Sequence, residues 1–174
     1  MDIDRLKAIV LYVLNSVPEK YLGKHELFKI LYFANQKHLI RYGNAIITDF
    51  YAFQHGPVPS SLLNYLNGRN TITSSLSIDA ETKYVLSPKE KPDMDELSKS
   101  EVECLNESIK ENGGLSFIEL TNKSHDSAWR KAWSNPVGKR GGKMGIVDIA
   151  IAANADDQII KYIKEDIELE AALK

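Results

Sequence analysis

The sequence predicts an α+β fold that is mainly helical, formed by a single compact domain over residues 1–174. Several stretches repeat apolar residues at the spacing of an amphipathic helix, and one of them is the C-terminal segment. Between them lie short segments rich in β-branched and aromatic residues, enough for one small strand or hairpin element. The composition, 43% hydrophobic and 26% charged, is typical of a globular chain that buries one core.

The first two predicted elements are helices. Asp2 is a suitable N-cap for an apolar-periodic stretch that ends before Pro18. The second helix is predicted from about Lys24 to Tyr42 and ends at Gly43, because glycine accepts the positive φ that often terminates a helix.

The second helix carries exceptions to its own pattern. His38 lies in the middle of the apolar stripe, whereas Phe33 and Ile40 fall on the opposite side among charged residues such as Lys29. Either another element of the fold or a partner protein must cover these two apolar side chains, and we favour the fold.

A strand is predicted over residues 46–53, ended by Gly56, Pro57 and Pro59 in a rigid turn. Pro59 also suits the first turn of a short leucine-bearing helix. Residues 71–87 then predict a small β-hairpin, and residues 87–95, with two prolines, a linker.

Two capping boxes mark the next helices. Ser98 with Glu101 opens a helix to about Asn112, and Ser116 with Glu119 opens a shorter one. Residues 128–133 add an amphipathic turn or two with tryptophans four residues apart, and residues 156–173 form the C-terminal amphipathic helix.

Charge and cysteine content exclude several classes of protein. Twenty-two Lys and Arg against 24 Asp and Glu give a formal charge of −2, which produces no general attraction to nucleic acid or to an anionic membrane. Cys104 is the single cysteine, so neither an intramolecular disulfide nor a cysteine-rich zinc site is expected. The acidic N-terminus and the absence of any apolar run near ~18 residues lead us to expect a soluble, cytoplasmic protein.

Few residues suggest catalysis. The pairs His25-Glu26 and His125-Asp126 lack the two-histidine helical spacing of zinc hydrolases, so no metal is expected. His38, Asp49 and His55 could converge as a base with its orienting carboxylate, which keeps a hydrolase open as an alternative. The commoner interpretation is a structural one, since buried imidazoles are usually hydrogen-bonded and no nucleophile signature accompanies these residues.

The only basic patch is the segment 127–147. It contains five basic residues, two tryptophans and no acid, and so could hold nucleic acid or an acidic protein face. A solvated loop, or one paired with the acidic C-terminal helix, is the competing interpretation. Its glycines resemble a phosphate-binding loop only superficially, because Met144 stands where a hydroxyl is needed, and no nucleotide cofactor is expected. The basic residues are Arg130, Lys131, Lys139, Arg140 and Lys143.

Four blocks of the sequence also resemble a known family. In order they read KILYFANQKHLIRYG, ITDFYAFQHGPVPSSL, LSKSEVECLNESI and LTNKSHDSAWRKAW. Together they resemble the Panacea family of SocA-like antitoxin domains over about Leu27 to Trp133. The resemblance implies a bacterial or phage antitoxin, with no enzymatic activity and no cofactor. It also implies a toxin partner encoded by a neighbouring gene, which such proteins neutralise by direct binding and in some cases are thought to deliver to a protease.

The resemblance and the residue types together predict which residues matter. The structural polar motif of the family falls on His38, Asp49, Gly56 and His125. Aromatic and arginine side chains dominate protein interfaces, and the segment from the second helix to the turn presents several. His55 departs from the family pattern, which often has a small or apolar residue before the glycine. The predicted partner contacts are Phe33, Ile40, Tyr51, Phe53, His55, Pro57, Trp129 and Arg130.

Overall fold

The computed structural model describes residues 2–136, 138 and 140–173, and most of its regular structure is helical. The helices are α1 Ile3–Ser16, α2 Lys24–Tyr42, α3 Ser60–Leu66, α4 Thr71–Ser74, α5 Lys99–Asn112, α6 Phe117–Ser124, α7 Ser127–Trp133, α8 Ile146–Ala152 and α9 Asp157–Ala172, with a 3-10 turn at Met94–Glu96. The strands are β1 Leu22–Gly23, β2 Phe50–Phe53, β3 Gly56–Pro59, β4 Leu76–Ile78 and β5 Val85–Pro88. The mainly helical α+β class is confirmed.

Helix α2 lies at the centre of the fold. It contacts α5, α6, α8 and α9 as well as β1 and β3. The side of α2 that carries the charged residues is covered, because Lys29 is only 1% exposed and Phe33 only 5%. Phe33 is covered by the fold, as favoured from the sequence, with the Lys123 ammonium of α6 4.6 Å from its ring centroid.

The strands form two small antiparallel sheets. One has the order β1-β5-β4, so the predicted hairpin of residues 71–87 gains a third strand, β1, from the two residues that precede α2. The other is the β2–β3 hairpin, in which Phe50 pairs with Pro59 and Phe53 with Gly56. Residues 141–144 run along the free edge of β2, where the Gly141 amide donates to the Ala52 carbonyl at 2.9 Å.

The predicted turn at residues 56–59 is wrong. These residues are a strand, and the turn is made by Gln54 and His55 before it. Two prolines fit because β3 is an edge strand, where a missing N–H breaks no ladder. The strand predicted over residues 46–53 is correspondingly shorter, since regular pairing begins at Phe50.

The helix ends predicted from the sequence are found in the structure. Helix α1 is capped by Asp2, α2 ends at Gly43 with φ of +72°, and Ser98 and Ser116 form the predicted capping boxes. Helix α9 begins behind Asp156, as predicted, whereas α4 and α8 were not predicted. Within the described residues, no helix has the length and hydropathy needed to cross a membrane.

Candidate functional site

The candidate site is an open groove of about 760 Å³. It lies between the start of α2, the β2–β3 turn and the start of α6, with α3 and the residue preceding β5 at its ends. Its lining combines apolar, aromatic and basic side chains: Lys24, His25, Phe28, Lys29, Phe53, His55, Val58, Leu63, Tyr84 and Phe117, with Gly23, Gln54 and Asn67.

Gly56 shapes one wall of the groove. Its φ of +105° lies in the region that other residues avoid, so it sets the direction of the chain after the Gln54-His55 turn. A β-carbon at this position would collide with the Ser124 hydroxyl and approach the Lys29 side chain to 2.7 Å. Only glycine therefore allows β3 to lie this close to α2 and α6.

Lys29 is the buried charge of the groove. Its Nζ donates a hydrogen bond of 2.9 Å to the Pro57 carbonyl of β3. Burial lowers the pKa of Lys29 to about 7, because desolvation disfavours the ammonium. This lysine therefore changes charge near neutral pH, unlike an ordinary exposed lysine.

Two imidazoles share one aromatic ring beside Lys29. The ring of His25 stacks on Phe117 with centroids 4.1 Å apart, and the ring of His55 approaches Phe117 edge-on at 5.2 Å. Phe117 itself is 48% exposed. Desolvation, followed by the nearby Lys29 charge, lowers the pKa of His25 to about 4, so this imidazole is neutral at neutral pH.

His125 completes a group of basic side chains around the turn. Its ring stacks flat on Trp129, with centroids 3.6 Å apart, and its Nε2 is buried without a hydrogen-bond partner in the described part of the chain. Desolvation, and then the Lys29 charge, lowers the pKa of His125. The Trp129 indole donates to the Phe53 carbonyl at 2.9 Å, which fastens this layer to β2.

The arrangement suits binding better than catalysis. No group of three or more His, Cys, Asp or Glu side chains in the described residues could hold a metal ion. A lysine with a pKa near 7 can serve as a nucleophile or a base, but the Lys29 amine is tied to Pro57 and reachable only by a group that enters the groove. What the groove offers is one buried ammonium surrounded by apolar and aromatic surface.

The predicted partner contacts separate into three places. Phe53 and His55 line the groove, and the buried Pro57 forms its back through the Lys29 hydrogen bond. Phe33 and Ile40 lie at a smaller cavity of about 250 Å³ near the α8–α9 loop.

The remaining contacts lie beyond the groove. Tyr51 packs under the Arg140 guanidinium at 4.2 Å, and the same guanidinium lies 6.0 Å from the ring of Phe53. Trp129 is buried between His125 and Trp133. Phe33 is 5% exposed and Trp129 9% exposed. Arg130 is exposed and donates to the His125 carbonyl.

The predicted hydrolase residues do not meet. His38 is buried, with Nδ1 2.8 Å from the Asn44 carbonyl and Nε2 3.0 Å from the Ser100 hydroxyl. Asp49 accepts from the Ser61 amide at 2.6 Å and so caps the start of α3. His55 contacts Phe117 in the groove instead. Each side chain has its own partners, and the hydrolase alternative loses its catalytic group.

The basic segment is partly engaged within the fold. Lys131 pairs with Asp148 at 2.8 Å, and Arg140 packs over Tyr51. Lys143 is exposed, and Lys139 lies outside the described residues. The acidic partner of Lys131 comes from α8, not from the C-terminal helix that the sequence suggested.

Sequence reasoning missed the central residue of the groove. Lys29 was noted only as one of the charged residues opposite the apolar stripe, and Phe117 received no role. One signal was available: Phe33, one helical turn beyond Lys29, already showed that this side of the helix is covered. The approach of α6 to α2, which creates the groove, has no signature in the local sequence.

Comparison with known protein families gives one match. The family described as "Antitoxin SocA-like, Panacea domain" matches residues 27–130, which include most of α2, the β2–β3 hairpin, α5 and α6. No curated protein and no solved structure matched the chain. The matched residues cover more than half of the 174-residue chain and contain the four sequence blocks that resemble the family, except for the last three residues of the fourth block. The chain therefore belongs to the SocA-like antitoxin family with a Panacea domain.

Proposed function

We propose that this protein is an antitoxin that neutralises a toxin, encoded by a neighbouring gene, by binding it directly. Family membership is the observation that carries the proposal. The site supports it in a second way, because the groove is a concave, partly apolar surface with aromatic anchors, and such surfaces suit the recognition of another protein.

The groove is the part of the surface that we propose the toxin covers. Phe117 is 48% exposed at its rim and contacts both His25 and His55. An exposed aromatic side chain beside a depression is the kind of residue that becomes buried on complex formation and contributes strongly to affinity.

Co-expression tests the proposal. The neighbouring open reading frame is expressed from an inducible promoter with and without this protein, and growth and co-purification are measured. We expect growth arrest without the protein, recovery with it, and a stable complex. Loss of growth in both cultures, together with no association, would refute neutralisation by binding.

A matched pair of variants tests the location. Phe117→Ala removes the groove aromatic, whereas Ile118→Ala removes a neighbouring apolar side chain that is 69% exposed and does not line the groove. We expect Phe117→Ala to weaken the complex at least about tenfold, as for a hot-spot residue, and Ile118→Ala to leave it unchanged. Equal effects of the two variants would place the interface elsewhere. Measuring the toxin level in the same cultures separates masking from delivery to a protease.

A further inference from the structure

The groove is lined by basic side chains and by no acidic one. In the described residues its lining includes the ammonium groups of Lys24 and Lys29 and the imidazoles of His25 and His55, of which the His25 ring is neutral at neutral pH, and no Asp or Glu. This contrasts with the whole chain, whose formal charge is −2. A cavity with low-dielectric walls and charges of one sign favours a ligand of the opposite sign.

Lys29 has unused hydrogen-bonding capacity. An ammonium has three N–H donors, and the described residues provide one acceptor, the Pro57 carbonyl. An anion that enters the groove would accept from the remaining donors and would favour the charged form that burial now disfavours. The groove is therefore arranged so that an anion relieves the cost of burying Lys29.

The remaining lining residues indicate what kind of molecule carries the anionic group. Phe28, Phe53, Val58, Leu63 and Phe117 surround the basic groups with apolar and aromatic surface. A strongly hydrated dianion such as phosphate would lose its solvation here with one buried ammonium to compensate it. A single carboxylate on an apolar body matches both the charge and the lining.

We propose that the groove binds the C-terminal residue of a partner chain, with its carboxylate at Lys29 and its apolar side chain against Phe117. That partner is the toxin only under the function proposed above. A chain end carries carboxylate and side chain on the same carbon, and no backbone continues beyond it. An internal acidic residue would instead bring a continuing backbone, with N–H and C=O groups that need partners, into apolar surroundings.

The four histidines of the chain provide the measurement. His25 and His55 line the groove, whereas His38 is buried elsewhere between Asn44 and Ser100 and serves as an internal reference. Their Cε1–H signals are followed by NMR in the full-length protein, and are assigned with His25→Gln and His55→Gln. The probes are N-acetylphenylalanine, which mimics a chain end, and its carboxamide, which differs only in lacking the charge.

We expect the acid to shift the His25 and His55 signals in a saturable way and to leave His38 unchanged. The amide should bind at least about tenfold more weakly, as expected for the loss of a charge-assisted hydrogen bond. Lys29→Met should reduce the affinity for the acid to that for the amide. If this variant does not fold, the comparison of acid and amide on the unmodified protein still shows whether binding depends on the carboxylate.

Three results would overturn the proposal: equal binding of acid and amide, no saturable shift of His25 or His55, or tighter binding of inorganic phosphate at the same signals. The co-expression assay is independent of these measurements. Neutralisation of the toxin without binding of the acid would reject the chain-end site and keep the antitoxin function. Binding of the acid without neutralisation would keep the chain-end site and reject the antitoxin function.

Discussion

Lys29 makes the stability of this protein depend on pH in a direction that can be worked out. Its pKa is about 7 in the folded protein against an ordinary 10.5. Between these values the unfolded chain binds more protons than the folded one, so the free energy of unfolding rises with pH. Below about pH 7 both states carry the charge, and the whole lowering of the Lys29 pKa from 10.5 to about 7, equivalent to about 5 kcal/mol, opposes folding.

The quantity to measure is the change in the free energy of unfolding across an accessible range of pH. From about pH 6 to about pH 9, two units above the folded pKa, Lys29 alone should add about 2.7 kcal/mol to the free energy of unfolding. The change to test is Lys29→Met, which keeps an unbranched, apolar side chain without the charge. It leaves the Pro57 carbonyl without its donor, at a cost of about 1 kcal/mol that does not vary with pH.

Urea denaturation of both proteins at the two pH values provides the assay. The difference between the two pH dependences isolates Lys29, because the other titrating groups are common to both proteins. As a second measurement, the pKa of His25 should rise in the variant, since the Lys29 charge is one cause of its lowering. If the free energies of unfolding of the two proteins change in parallel with pH and His25 titrates identically in both, Lys29 is not the buried charge described above.

Two further substitutions test the packing around α2. Gly43→Ala should lower the free energy of unfolding by more than about 2 kcal/mol, because φ is +72° and a β-carbon would collide with the Tyr162 ring. Adding Tyr162→Ala should remove the collision and leave a loss of about 1–2 kcal/mol from backbone strain. Asp126→Ala should cost about 3 kcal/mol, since Asp126 caps α7 and accepts from Tyr32 and Gln36 at 2.7 and 2.8 Å, and Asp126→Asn should cost less because it keeps the cap. Thermal unfolding monitored by circular dichroism checks both; equal losses for Gly43→Ala and the double variant, or for the two Asp126 variants, would contradict these reasons.

Structural features that depend on a few neighbouring residues could be predicted from the sequence. The ends of α2, α5 and α9 follow from Gly43, the Ser98 capping box and Asp156, because each satisfies backbone groups within one turn of the chain. The β3 strand was not predictable in this way. Prolines usually end strands, and their place here depends on β3 being at the sheet edge, which is a property of the whole sheet.

The groove was predicted only in part. Phe53 and His55 were predicted as contact residues, although the turn between β2 and β3 was predicted at residues 56–59 and lies at Gln54 and His55. Lys29 and Phe117, by contrast, come together from helices nearly 90 residues apart. A helical wheel assumes one solvated side, and α2 has almost none over its first three turns. Helix α8 was missed because IVDIAIA is short and apolar, a pattern that suits a buried strand as well as a helix.

The enclosure of α2 also bears on how this family can diverge. A residue packed on every side by neighbouring elements cannot change without disturbing them, so most substitutions in α2 affect whether the protein folds. The positions free to change are those on the rim of the groove, Gln54, His55, Tyr84 and Phe117, which belong to turns or to the start of a helix. If the groove binds the partner, as proposed above, a small number of rim substitutions on an unchanged central helix would be sufficient to exchange one partner for another.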